Sequence, residues 1–471
     1  MRKQPTQQGL ILLNIIVFGS IAVMLITALV VTAVSTINVA RNVANQEQAF
    51  QIAEAGIEYY RWHLAHAPTD YTDGTGSPGP YVHEYFDRQN NKIGEFALTI
   101  EPPPIGSTIV TITATGTVVA DSNISRAIRT HLAIPSLARF AVAANSDMRF
   151  GEGTVVFGPI HSNGGIRFDG LAHNVVSSAV EDYNDPDHSG GNEFGVHTHV
   201  SPTDPLPPAT VPLRPDVFEA GRQFPIPAVD FVGISTDLAS IKSNAQSDGY
   251  YYANSGALGY RIVLRTDDTF DIYRVNNVVN SPGGCSSSQT GWGTWSVNSQ
   301  TFLSNNPLPA NGLIFVEDHV WVEGQIDGAR ITIASGRFPD NPSTRTNITV
   351  NNDLLYTNYD GSDVIGLISQ NNFNIGMVSQ NSLRIDAAII AQNGRVGRHH
   401  YSNKCNPYHQ RDEVTLYGMI ATSLRYGFAY TDDTGYADRY LNYDANLLYG
   451  PPPSFPLTSD QYVTISWEEV K

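Results

Sequence analysis

Few residues of this 471-residue chain have types and spacings that could do chemistry, and the first such group is acidic. The segment Asp185-x-Asp187-x-Ser189 has the spacing of the first ligands of an EF-hand loop, whose oxygens bind calcium. The twelfth loop position would be Val196, where calcium requires a bidentate Glu. A solvated acidic loop is therefore the favoured interpretation. We expect no cofactor, with calcium kept as the alternative.

Five histidines could meet around zinc, because imidazole nitrogen is a preferred zinc ligand. They are His197, His199, His399, His400 and His409. Their positions do not follow a known zinc-ligand spacing, so we expect surface histidines and no metal site.

A second chemical hypothesis is a polysaccharide-cleaving enzyme, which needs carboxylates and a basic residue on one strand face. Residues of these types lie close together at Glu317, Asp318, Glu323, Asp327 and Arg330. On short strands such residues more often lie at solvated corners. The chain also has no phosphate-binding loop, zincin motif or nucleophile elbow. We therefore expect a protein that is not an enzyme, and keep the glycan-active enzyme as an alternative.

Composition points to a turn-rich β protein outside the cell. The 28 Lys and Arg against 45 Asp and Glu give a net charge of −17, which should repel nucleic acid phosphates. Only 15% of residues are charged, whereas Gly and Pro contribute 40 and 28 residues. We expect no nucleic acid partner.

The N-terminal region predicts a membrane-spanning helix. Residues 10–40 carry no charge, and this stretch is longer than the roughly 20 apolar residues that a membrane span needs. Arg2 and Lys3 precede them and predict a cytoplasmic N-terminus with the rest outside. The alternative is a secretory signal cleaved near residues 33–40.

The helix is predicted to continue to residue 66, because apolar residues recur at helical spacing beyond the apolar stretch. This stripe consists of Val43, Phe50, Ala53, Ile57, Tyr60 and Leu64. Pro68 and a turn-rich segment end it.

Two stretches of this helix resemble the PilX N-terminal type of type IV pilin-like proteins and the related GspK-like pseudopilins. Gln7-Gln8-Gly9-Leu10-Ile11-Leu12-Leu13 is similar to a prepilin peptidase site, which implies cleavage between Gly9 and Leu10. The segment Ala49-Phe50-x-x-Ala53-Glu54-Ala55-Gly56-Ile57-Glu58 is similar to the helix motif of that family. The resemblance covers about 65 residues and implies a membrane-inserted subunit that is processed and joins other pilin subunits.

One position departs from the major pilins of this family, which carry Glu at the fifth residue of the processed chain. Here that residue is Asn14, which cannot neutralise the amine of a neighbouring subunit in the bilayer. By this resemblance, Asn14 suits a subunit at the tip of a filament. The alternative is that Asn14 is merely tolerated.

Beyond the helix, alternating runs predict an antiparallel pilin-like sheet within residues 67–139. Short apolar triplets between Gly, Asn and Asp corners then predict a right-handed parallel β-helix-like domain over 140–176 and 311–425, with a β-sandwich as the alternative. Residues 177–310 are predicted as a Pro-rich loop with an α+β insertion. Residues 426–471 are predicted as an aromatic cap. The fold class is therefore α+β, mostly β.

Two further features belong to this predicted outer region. Cys285 and Cys405 would lie outside the membrane, where disulfides persist, and we expect them to pair. Trp292 and Trp295 lie in a Gly- and Ser-rich loop, and exposed aromatics anchor partners and sugars. This loop is therefore the candidate site for adhesion to a surface or glycan.

The sequence thus predicts a minor pilin-like subunit, with a single helix in the bacterial cytoplasmic membrane and a β-rich head at the cell surface. A permanently anchored surface protein is the first alternative.

Overall fold

The computed structural model describes residues 7–104, 106–457 and 461–470, with the side chains of 7–10 and 232–237 outside the description. Residues 1–6 of the predicted leader therefore lie outside the described residues. The chain divides into two compact units. The predicted fold class is confirmed: there is one long N-terminal helix, one small antiparallel sheet and one large, mostly parallel sheet.

The first unit combines the long helix, α1 (Gln7–His66), with a five-stranded antiparallel sheet. In spatial order the strands are Tyr81–Phe86, Lys92–Glu101, Val110–Val118, Asp121–Ala133 and Val463–Val470. Burial along Val110–Val118 alternates at every residue, as expected for a sheet with one face on a core. That face packs against the C-terminal half of α1.

The second unit is built mainly from short strands that pair in parallel from one coil of the chain to the next. The exceptions are Asp182–Tyr183 with Glu193–Phe194, and Thr269–Val278 with both Gly259–Leu264 and Val297–Pro307, which pair antiparallel. All strands of the unit follow in chain order. Up to residue 223 they are Val142–Ala144, Met148–Phe150, Thr154–Phe157, Ile160–Ser162, Ile166–Phe168, Leu171–Ala172, Val176–Ser178, Asp182–Tyr183, Glu193–Phe194, Val196–His197 and Arg222–Gln223. Up to residue 326 they are Tyr250–Tyr252, Gly259–Leu264, Thr269–Val278, Val297–Pro307, Leu313–Val316 and Val320–Ile326. The rest are Arg330–Ser335, Ile348–Val350, Leu354–Tyr356, Val364–Ser369, Phe373–Ile375, Ser382–Ala391, Val396–Arg398, Gln410–Thr422 and Gly435–Tyr443. Helix α2 (Val232–Asp248) and the 3-10 turns Asn403–Cys405 and Ala445–Leu448 complete the unit.

We call this arrangement the parallel β stack. One of its ladders runs through residues that lie directly above one another, and all of them are buried aliphatics except the half-buried Tyr250 and Arg222 at its two ends. In spatial order its members are Tyr250, Ile314, Ile333, Leu367, Ile389, Ile420, Val142, Ile160, Val176 and Arg222. Parallel pairing from coil to coil rules out the alternative of a sandwich of antiparallel sheets.

The spatial order of this ladder is not the order of the chain. The chain enters the stack at Val142, builds coils outward to Arg222, and then reaches the opposite end at Tyr250. From there it builds coils back to Ile420, which pairs with Val142. The first and last coils in sequence are therefore neighbours in the middle of the stack.

Two predicted boundaries are wrong for this reason. Within 177–310, helix α2 and the hairpin of Gly259–Leu264 with Thr269–Val278 are present, but Tyr250–Tyr252 and Gly259–Leu264 are ordinary members of the parallel stack. Residues 426–471 are not a cap. Gly435–Tyr443 pairs in parallel inside the stack, and Val463–Val470 is the fifth strand of the small antiparallel sheet.

Candidate functional site

Helix α1 has two halves with opposite surroundings. Every residue from 11 to 44 is exposed, and most side chains there are apolar. From Ala49 to Leu64 one face is buried on the antiparallel sheet. By length and composition, this is the one helix in the described part of the chain that could cross a membrane. Asn14 is exposed within the apolar half, and Gly9 and Leu10 lie in the first turns of the helix.

The small residues of the family-like motif form the surface where the helix meets its sheet. Ala49, Ala53 and Gly56 are buried on one face. A Cβ at Gly116 of the sheet would lie 2.1 Å from the carbonyl oxygen of Ala49 and 2.6 Å from the backbone nitrogen of Ala53. A Cβ at Gly56 would lie 2.9 Å from the Phe96 ring. The motif therefore permits a close approach of helix and strand backbones.

The other motif residues complete this packing or face solvent. Ile57 is buried, and Ala55 and Phe50 are half-buried. The ring of Phe50 meets that of Trp467 edge-on at 5.7 Å. Glu54 and Glu58 are exposed, and Glu58 pairs with Arg61 at 3.3 Å. The predicted stripe needs one correction, because Val43 is 60% exposed.

The structure joins Cys285 and Cys405 in a disulfide, and both residues are buried. Met377 and Tyr401 share their apolar cluster, against which Trp292 packs.

The candidate adhesion tryptophans are half-buried rather than free. The Trp292 indole donates to the carbonyl of His400, and the Trp295 indole donates to the carbonyl of Gly291. The Trp295 ring lies 6.3 Å from that of Trp321. These contacts anchor the loop and leave only part of each ring available to a ligand.

The carboxylates considered for glycan chemistry each have partners within the stack. Glu317 accepts from Lys242 and Tyr251, Asp318 pairs with Arg337 at 2.6 Å, and Glu323 accepts from Arg261. Asp327 accepts from Asn358. Arg330 donates to the carbonyls of Gly106, Gly450 and Pro451. All five residues thus make contacts that hold loops in place.

A different group of polar residues converges beside the first coils. The hairpin of Asp182–Tyr183 and Glu193–Phe194 brings Asp185 and Glu193 near His197, which ends the strand Val196–His197. His199 follows two residues later, so its ring lies 5.1 Å from that of His197. We call Asp185, Glu193, His197 and His199 the histidine–acid cluster.

Burial and missing hydrogen bonds distinguish this cluster. Asp185, Glu193 and His197 have 3%, 1% and 0% exposure. Among the residues that the structure describes, none bonds to Asp185 Oδ2, Glu193 Oε2, His197 Nε2 or His199 Nε2. Burial lowers the pKa of His197, because the charged imidazole loses its hydration.

The predicted calcium ligands do not form one site. Asp187 pairs with Arg149 at 3.5 Å and with Arg425, whereas Asp185 faces His197. Ser189 is exposed in the intervening loop.

The expectation of surface histidines is wrong for His197 and His399, which are both buried. Of the five, only His197 and His199 enter a metal-competent group in the described residues. His188 and Glu193 were not among the sequence candidates. The pattern His197-x-His199, which puts two imidazoles on one side of an extended segment, was the available signal.

An open groove of about 830 Å³ lies on the stack. It is lined by charged, aromatic and amide side chains, among them Arg149, Glu152, Gln289, Arg425, Tyr430 and Asp433. Such a surface can offer both stacking and hydrogen bonding to a polar ligand.

No family model matches the chain, and no curated protein matches it in sequence. Among solved structures, it is similar to the crystal structure of the competence-associated pilin ComZ from Thermus thermophilus. The identity is 13% and the TM-score is 0.31, over 90% of this chain and 97% of that one. At this similarity the fold assignment rests on the strand registers and contacts of the chain itself.

Proposed function

We propose that the protein is a non-enzymatic minor subunit of a type IV pilin-like filament, placed at the filament tip. The observation that carries the proposal is the division of α1. Residues 11–44 find no packing partner within the described residues, while Ala49–Leu64 pack on their own sheet. An exposed apolar half-helix needs either lipid or other helices, and a filament subunit meets lipid first and helices later.

The N-terminal residues support the same role. Gly9 and Leu10 follow the pattern of a prepilin peptidase site, so that enzyme and other pilin subunits are the proposed partners. The proposed location is the bacterial cytoplasmic membrane before assembly, with the head outside, and the cell surface afterwards. The stack, with its groove and Trp loop, is the proposed region for contact with a surface or glycan.

The test is the N-terminal peptide mass of protein recovered from sheared surface filaments. We expect a chain that begins at Leu10, and we expect Gly9→Val to abolish processing and filament recovery. Gly19→Val is the matched control for processing, because it lies outside the cleavage site and a Cβ there meets nothing within 4 Å in the chain itself. A full-length chain found only in membranes would support a permanent anchor instead. Turnover of glycans by the purified protein would support the enzyme.

The tip position has its own test. Asn14→Glu restores the charge that a repeating subunit uses, so we expect more copies per filament than for the native chain. An unchanged copy number would contradict the tip assignment without affecting the processing result.

A further inference from the structure

We propose that the histidine–acid cluster is a binding site for one divalent transition-metal ion of the zinc class. This inference is independent of the filament role, because it concerns only residues of the second unit.

The first argument is the geometry of the donor atoms. His197 Nε2 lies 3.6 Å from Asp185 Oδ2, and His199 Nε2 lies 3.4 Å from Glu193 Oε1, with no hydrogen bond across either gap. Zinc bonds of about 2.0–2.1 Å in a tetrahedron put neighbouring ligand atoms about 3.3 Å apart. The donor atoms of Asp185, His197 and His199 all lie within 4.8 Å of one another, as the ligands of one ion do, and Glu193 meets this group through His199.

The second argument is the state of His197. Its Nδ1 is 3.3 Å from the carbonyl oxygen of Phe194 and donates a hydrogen bond to it. In the neutral ring Nε2 is then unprotonated, and its lone pair is free to bind a metal. A ligating histidine characteristically donates its other ring N–H to a carbonyl or carboxylate, because this fixes the ring and the tautomer. The fully buried ring is thus oriented as a metal ligand needs to be.

The third argument is the cost of the arrangement without an ion. Asp185 Oδ2, His197 Nε2 and His199 Nε2 are buried atoms without a hydrogen-bond partner among the described residues, and a buried polar atom that loses its hydration without a partner is destabilising. A single cation satisfies these atoms together. The Arg167 guanidinium, 3.7 Å from Asp185 Oδ2, offsets part of the negative charge.

The choice of ion follows from the ligand set. Two imidazoles with a carboxylate suit zinc, whereas calcium and magnesium prefer oxygen ligands throughout. Asp185, His197 and His199 would supply three ligands, which would fix the 184–192 loop to the strand that follows it. A zinc site with three protein ligands keeps its fourth position for water. Glu193 lies beside this group, with its Oε1 3.1 Å from His188 Nδ1 and 3.4 Å from His199 Nε2.

The experiment uses the full chain, purified in detergent without a polyhistidine tag, stripped with chelator and then loaded with zinc chloride. After gel filtration, elemental analysis should find about one zinc per chain, as for a site that is formed by folding. His197→Gln and Asp185→Asn should each lose it. His173→Gln is the matched control, because His173 makes an ordinary pair with Glu219 at 2.6 Å outside the cluster. Absence of zinc in the native chain, or native zinc content in both cluster variants, would overturn the proposal.

A second measurement needs no variant, so it holds even if a substitution prevents folding. Cobalt(II) added to the native chain should give the intense visible absorption of a tetrahedral site, and one equivalent of zinc should remove it. The weak absorption of six-coordinate cobalt would overturn the proposed tetrahedral site.

Discussion

Ile420 and Val142, from opposite ends of the second unit's sequence, are direct partners in one parallel ladder. The pairing joins the last coil of the returning segment to the first coil of the outgoing one. The stack therefore becomes continuous only when a distant segment of the chain has arrived, and its stability should depend on this junction.

Substitution at the junction tests this dependence. Ile420 is 1% exposed and lies between Ile389 and Val142, so Ile420→Ala leaves a cavity and should cost about 2–5 kcal/mol of unfolding free energy. Leu424→Ala, at a side chain that is 51% exposed, should cost less than about 0.5 kcal/mol. Denaturant unfolding of the full chain, followed by intrinsic fluorescence, measures both. Equal stability of the two variants would mean that the junction does not stabilise the stack.

The sequence predicted those features that depend on local pattern. Strict alternation in residues 109–113 predicted a half-buried strand, which the structure has at Val110–Val118. The 3–4 spacing of Ala53, Ile57, Tyr60 and Leu64 predicted the packed helix face. The order of the coils was not predictable, because the chain leaves the stack once and nothing local marks Val142 as the partner of Ile420.

The cap assigned to 426–471 failed for a related reason. A sequence rich in aromatic residues is compatible both with a terminal cap and with an internal coil of the stack. Tyr436 is fully buried within the stack because Gly435–Tyr443 lies between two other coils. The histidine–acid cluster was missed because its ligands follow no standard motif. A hairpin brings Asp185 to His197, and residue spacing does not reveal that contact.

Packing of α1 on its sheet predicts unequal effects of two alanine substitutions. Gly116→Ala puts a Cβ 2.1 Å from a helix carbonyl, where only the backbone could yield, and should cost about 3 kcal/mol or more. Gly56→Ala meets the Phe96 side chain instead and gains about 1 kcal/mol of helix propensity, so its net effect should be within about 1 kcal/mol. The thermal unfolding temperatures of the two variants, each made in the full chain, measure which substitution is more destabilising. Gly56→Ala as the more damaging change would contradict the close backbone contact.

The disulfide predicts a protease-sensitive site. Cys285 and Cys405 are 120 residues apart, and the chain-entropy model assigns such a cross-link about 5 kcal/mol. Lys404 lies in the 3-10 turn that the disulfide anchors, so Cys285→Ser with Cys405→Ser should speed tryptic cleavage after Lys404. Mass spectrometry of the fragments follows this rate. Cleavage after Arg88, in an exposed turn of the first unit, provides the control and should not change. An unaltered rate at Lys404 would show that the turn is held by its other contacts.

His399 predicts a loss of stability in acid. Its ring is buried, and neither ring nitrogen has a hydrogen-bond partner in the described residues. Burial, with the positive charges of Arg395 and Arg398, lowers its pKa to about 3. In the unfolded chain His399 has the ordinary histidine pKa of about 6.5. Below pH 6.5 the unfolded state therefore binds a proton that the folded state does not bind.

The contribution of His399 to the unfolding free energy should therefore be nearly constant near pH 7 and decrease as the pH falls from 6.5 toward 3. At pH 5 the loss from His399 is about 2 kcal/mol, at 1.36 kcal/mol for each pH unit below 6.5. Between pH 7 and pH 5, the unfolding free energy of His399→Asn should therefore decrease by about 2 kcal/mol less than that of the native chain. This difference does not depend on the stability of the variant at neutral pH. His66→Asn, at an exposed residue of α1, should keep the native slope. Denaturant midpoints at the two pH values give the comparison. Equal pH dependence for the native chain and His399→Asn would mean that folding does not change the pKa of His399.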